Sequence, residues 1–143
     1  MKKMDEAGLQ RQIIALCRVS HKELVRNVFA PLNGVLQRNP WDTRKANLMG
    51  MVSGIPDLCM PTHDGCIWVE LKAPGREANI SKNQHKMMEY LTRLGHRCYI
   101  AATIEDAMNI FNLEAVRVET KWAKEGRPEP ASDANIVGIG ELG

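Results

Sequence analysis

The chain has 143 residues, 44% hydrophobic and 25% charged, a balance that fits one globular domain with a buried core and excludes a disordered or fibrous chain. No apolar run reaches the roughly 18–20 residues that cross a bilayer, and "MKKMDEAGLQRQ" lacks the apolar stretch of a secretory signal, so no membrane association and a cytoplasmic location are expected. Net charge is +2 but uneven: residues 1–104 carry +6 and residues 105–143 carry −4, a basic body with an acidic tail that suits a nucleic-acid partner.

Residues 5–19 have helical spacing, with Leu9, Ile13 and Leu16 at i, i+4 and i+7 and with Ile14 and Cys17 widening the stripe. Glu6 lies on the same stripe. It either points inward or serves the positive end of the helix dipole. "LVRNVFA" (24–30) is β-prone and enters the turn signal "PLNG". A second helix is expected over "NPWDTRKANLMGM", with Pro40 at its start and Gly54 beyond its end.

"DLCMP" and "CIWVELK" flank "THDG", which predicts a β-hairpin. "SKNQ" is a capping box that opens a helix, with Ser81 as N-cap, Gln84 at N3 and an apolar face of Met87, Met88, Leu91 and Leu94. "RCYIAA" (97–102) is a strand, and Thr103 caps a helix through "TIEDAMNIF". The order implies an α/β fold, a mixed β-sheet flanked by helices. Residues 1–122 form the domain. Residues 123–143, rich in Pro, Gly and acidic residues, read as an extended tail.

The hairpin carries the chemistry. Glu70 and Lys72 share one face of their strand because side chains alternate. Asp57 joins them if the loop is Asp64-Gly65, which sets 57 opposite 72, or residues 62–65, which sets 57 opposite 70. A three-residue loop sends Asp57 to the other face unless a bulge corrects the count. Two carboxylates this close repel, and a cation between them relieves the repulsion. Oxygen donors without His or Cys favour Mg²⁺ or Mn²⁺ over zinc. A plain salt bridge on a solvated face is the competing reading. Gln84 weighs against it, since it lies on the Met87/Met88/Leu91 stripe and so faces the sheet, where its amide needs partners.

Other chemistries find less support. Cys17, Cys59, Cys66 and Cys98 form no C-x-x-C pair, so they read as free buried thiols of a reducing compartment. The four histidines are scattered, which leaves no nucleophilic pair to argue for. No phosphate loop occurs, so a nucleotide cofactor is not expected.

"G-I-P-D-L", then "W-V-E-L-K", "S-x-x-Q" and "L-G-H-R-C-Y-I", in this order and at these spacings, resemble the VRR-NUC (virus-type replication-repair nuclease) domain, a branch of the PD-(D/E)XK nucleases. "F-A-P-L-N-G" resembles its Pro-Asn-Gly segment, with Leu32 set between Pro31 and Asn33. The likeness covers about residues 5–112 and implies a restriction-endonuclease-like αβββαβ core. By motif it implies Asp57, Glu70 and the carbonyl of Leu71 as metal ligands, with Glu6 a further acid. Lys72 is then the catalytic lysine and Gln84 the glutamine that supports it. The resemblance further implies Mg²⁺- or Mn²⁺-dependent hydrolysis of DNA phosphodiesters. Stand-alone members suggest a homodimeric resolvase of four-way (Holliday) junctions in repair. A flap- or duplex-cutting nuclease, or a branched-DNA binding module with a weak site, is the alternative. Arg38, Arg44, Lys45, Arg76, Lys82 and Lys86 are the expected phosphate contacts.

Overall fold

The stripe at Leu9 and Ile13 builds the first element. In the computed structural model, which describes residues 5–31, 44, 45 and 47–129, α1 spans Glu6–Arg18 and buries Leu9, Ile13 and Cys17. Asp5 is its N-cap: the Asp5 carboxylate accepts from Gly8 N at 2.7 Å, a contact worth about 1 kcal/mol. Glu6 thus sits in the first turn rather than at the cap.

The segment expected as a strand at 24–30 is instead a short helix, α2 (Glu23–Arg26), followed by one bridged residue. Polar side chains take its backbone groups. Arg18 donates to the carbonyls of Arg26 and Val28 at 2.7 and 2.6 Å, and Asn27 donates to Glu23 O at 2.8 Å. Only Phe29 reaches the sheet, exchanging both backbone hydrogen bonds with Cys59 at 2.9 and 2.8 Å. Of the helix expected after Pro40, Arg44, Lys45, Asn47 and Leu48 are helical, Met49 and Gly50 form a turn and Met51 is irregular, and residues 39–43 and 46 lie outside the described residues. Most of the "PLNG" turn lies outside them as well.

The sheet has the order β1 (Leu58–Thr62), β2 (Gly65–Leu71), β3 (Arg97–Ala101), with β1 and β2 antiparallel and β2 and β3 parallel. It is a mixed sheet, as expected. The hairpin closes with Thr62 opposite Gly65, leaving His63 and Asp64 as its tip. The crossover from β2 to β3 is α3 (Lys82–Arg93), which follows the Ser81 capping box. After β3, the Thr103 cap opens α4, which runs from Ile104 to Glu125, well beyond the "TIEDAMNIF" stretch and past residue 122.

Alternation sorts the two faces. Leu58, Met60, Ile67, Val69, Leu71 and Ala101 join α1 residues and Ala107, Phe111 and Ala115 of α4 in one core. The core therefore lies on the α1/α4 side. The other face carries Cys59, Trp68, Glu70 and Cys98 and is covered by α3, where the Cys98 thiol lies 3.9 Å from Met88 O. All four cysteines are free, and burial raises the pKa values of Cys17, Cys59 and Cys98. Among the described residues no helix is long and apolar enough to cross a membrane.

A polar cluster ties the hairpin tip to α4. Arg117 grips Asp64 with two bonds of 2.8 and 3.1 Å and reaches Glu114 at 2.9 Å. Glu114, only 8% exposed, also accepts from Arg97 and from the Tyr99 hydroxyl at 2.6 Å. Burial works against its charge, yet these donors hold the Glu114 pKa below the ordinary value. His63 and Arg127 pack on the Trp122 ring at 5.8 and 4.8 Å. Replacing Glu114 by Ala strands the cationic groups around it. Urea unfolding should show a loss of about 3 kcal/mol, and a smaller loss for Glu114→Gln, which keeps an acceptor.

Candidate active site

The register decides where the charges meet. With Leu58 opposite Val69, Asp57 falls opposite Glu70, and alternation brings Lys72 to the same face. This is the pairing of 61 with 66 that the 62–65 loop implied, extended by one further pair. Asp57 Oδ2 accepts from Leu71 N at 2.8 Å, which pins the residue after Pro56 onto the edge of β2.

Gln84 completes the group. Its Nε2 donates to Glu70 Oε1 at 2.8 Å, and its Oε1 accepts from Lys72 Nζ at 2.9 Å. The same Oε1 accepts from Ser81 N at 2.9 Å, and Ser81 Oγ accepts from Gln84 N at 3.1 Å. The capping and the site roles do not compete for this side chain, because a carbonyl oxygen has two lone pairs. Lys72 Nζ also stands 3.7 Å from Glu70 Oε1. Glu70 and Lys72 are 4% and 8% exposed, so this is a buried pair, not a solvated surface bridge.

The pair of acids is under electrostatic stress. Burial, and after it the charge of Asp57, push the Glu70 pKa up to about 8, with Lys72 working against the rise. Burial also raises Asp57, opposed by the Leu71 N–H. Glu6 adds to the stress on both. It is exposed, and its Oε1 accepts from Ala73 N at 3.3 Å. Three acids against one lysine leave an excess of negative charge that a divalent cation suits. Among the described residues no three or more His, Cys, Asp or Glu side chains gather as a metal cage. An ion here would rest on two carboxylates, a main-chain oxygen and water, a donor set that Mg²⁺ accepts readily.

The expected phosphate contacts divide. Arg76, Lys82, Lys86, Arg44 and Lys45 are exposed. Lys82 and Lys86 lie on α3, on either side of Gln84 in sequence, and Arg76 follows the end of β2. Arg38 lies outside the described residues. Two residues escaped the sequence reading: Ser53 and Asn83, joined side chain to side chain at 3.0 Å. No spacing rule signals a contact between positions 30 residues apart.

A mixed sheet with helices on both faces, carrying a buried lysine–carboxylate pair bridged by a helix glutamine, defines the class: an α/β protein with an acidic, lysine-bearing site at the end of a hairpin. A solved structure described as a "VRR_NUC domain protein" matches with a TM-score of 0.64 and 17% identity, over 82% of this chain and 92% of that one. The chain has the VRR-NUC fold. No family model matches the sequence, and no curated protein matches it.

Proposed function

We propose that the protein is a Mg²⁺- or Mn²⁺-dependent endonuclease that hydrolyses DNA phosphodiesters, selects branched DNA and resolves four-way junctions as a homodimer. One observation carries the reading most: Gln84 bonded to both Lys72 and Glu70, with Asp57 opposite Glu70. A salt bridge that serves stability alone has no use for a second carboxylate that raises the Glu70 pKa.

Asp57, Glu70 and the Leu71 carbonyl would hold the ion. The bound ion would supply Lewis acidity at the phosphate and a nucleophilic water at neutral pH. Lys72 places an ammonium beside the reacting phosphate, where it stabilises the negative charge that grows on the oxygens. Gln84 keeps that ammonium aimed by occupying one of its donors. Water adds to phosphorus in line, the bond to the 3′ oxygen breaks, and the products are a 5′-phosphate and a 3′-hydroxyl. Lys82, Lys86, Arg76, Arg44, Lys45 and Arg38 supply sequence-independent phosphate contacts. A two-fold pair of sites matches the symmetry of a four-way junction.

The test is a panel of end-labelled duplex, flap, fork and four-way junction with Mg²⁺ or Mn²⁺. Paired, symmetric nicks in the junction are expected. Preferential cutting of flap or plain duplex defeats the resolvase assignment. Binding without any cutting reduces the protein to a branched-DNA binding module.

A further inference from the structure

The first turn of α3 is fitted against the segment that leads to Asp57. Asn83 Nδ2 donates to Ser53 Oγ at 3.0 Å. Gly54 has φ +84°, and a Cβ there would overlap the Asn83 carbonyl oxygen, stand 2.6 Å from its carbon and lie 2.9 Å from Gln84 N. All of these are backbone atoms, which cannot swing aside as the end of a side chain can. A left-handed φ adds strain for any other residue at 54. From Gly54 the chain runs through Ile55 and Pro56 directly to Asp57.

The Ser81 capping box fixes Gln84 relative to its own helix. It does not fix how far that helix stands from the sheet. At the far end of α3, buried Leu91 anchors it. At the near end Ser53 and Gly54 pack on Asn83, and Gly54 also approaches the backbone N of Gln84, the residue whose side chain bridges Lys72 and Glu70.

We infer that Ser53 and Gly54 are positioning residues: the missing side chain at 54 and the Ser53–Asn83 hydrogen bond set the separation between Gln84 and the strands that carry Asp57, Glu70 and Lys72. The inference rests on the endonuclease reading for its effect on catalysis. Neither is assigned a contact with DNA or with the reacting atoms. A displacement of about 1 Å in such a site lowers the rate about 100-fold, so a Cβ that pushes α3 outward acts on turnover more than on binding.

The test uses the full chain with Gly54→Ala, Ser53→Ala and Ser53→Thr. Two quantities are read beside the cleavage rate: junction Kd in EDTA, and the NMR signals of the Gln84 side-chain amide without metal or DNA, assigned by comparison with Gln84→Ala. Gly54→Ala should lower kcat about 30- to 100-fold, shift the Gln84 amide signals and leave junction Kd unchanged. Ser53→Ala should move the same readouts in the same direction, with kcat down about three- to tenfold, and Ser53→Thr, which keeps the hydroxyl, should restore them. A folded Gly54→Ala protein with unmoved Gln84 signals and wild-type kcat overturns the inference. So does a rate loss matched by an equal loss of DNA affinity. Should Gly54→Ala fail to fold, Ser53→Ala against Ser53→Thr decides by the same readouts. If the wild type cuts no DNA, the endonuclease reading falls, and the amide signals alone then decide whether Gly54 places Gln84.

Discussion

Lys72→Ala should cut the four-way junction at least about 100-fold more slowly than the wild type while still binding it. Lys72 is 8% exposed, and its ammonium is held between Gln84 Oε1 at 2.9 Å and Glu70 Oε1 at 3.7 Å. A cation fixed in advance and shielded from water stabilises transition-state charge without reorganising. The substitution removes that charge, leaves Gln84 Oε1 with Ser81 N as its remaining donor and takes from Glu70 a cationic neighbour that favours its ionised form. Lys72→Arg should not rescue, since a planar fork cannot occupy the space of a compact ammonium in a site this closed. On the proposed reading DNA affinity comes from cations such as Lys82 and Lys86, which are exposed, so Kd should move little. The check is single-turnover cleavage beside a binding titration in EDTA, with thermal unfolding to establish that the variant is folded. Cleavage within a few-fold of wild type would remove Lys72 from the chemistry. Parallel losses of rate and binding would make it a phosphate contact instead.

The parts of this site that were legible in the sequence are those governed by local rules. Ser81 and Gln84 are three positions apart, and the capping box follows from that spacing alone. Glu70 and Lys72 share a face because strands alternate. The likeness to the VRR-NUC pattern added the roles proposed for them, and the register added the meeting with Asp57, which the sequence had left to the length of the turn. The failures have one physical source. Val25, Val28 and Phe29 favour a strand by propensity, but long-range and polar contacts decided otherwise: Arg18 and Asn27 claimed the carbonyls, and only Phe29 found a strand to pair with. Nor did "THDG" reveal that Asp64 would be gripped by Arg117, 53 residues away. That grip ties the tip of the hairpin that carries Glu70 to α4. Likewise Gly54 looked like the end of a helix, whereas its lack of a side chain is needed where α3 approaches.

Without added metal, the protein should lose stability as pH rises from about 5 to about 8, and Mg²⁺ or Mn²⁺ should reverse the loss. Glu70 has a folded pKa raised from 4.5 to about 8 by burial and by the Asp57 charge. A raised pKa means that the folded state holds its proton longer than the unfolded chain does. The stability this provides is complete below the unfolded value and disappears as pH climbs through the folded one. Asp57, also raised, acts in the same direction. Asp64 and Glu114 have lowered pKa values and act oppositely. Their contribution is present above the unfolded carboxylate range and is lost in acid, so it does not offset the decline between pH 5 and 8. Glu70 is almost fully buried, and the expected loss is on the order of 3 kcal/mol, or ~10 °C in Tm for a chain of this size. Glu70→Gln should flatten most of the slope, and the four histidines, common to both proteins, cancel in the comparison. An ion that binds only the ionised pair stabilises most where the pair is ionised, by about 2.7 kcal/mol at a hundred times its Kd. The thermal shift on adding metal should therefore grow with pH in the wild type and be nearly absent in Glu70→Gln. Equal slopes in the two proteins would show that the stress between Asp57 and Glu70 is not what the cation relieves.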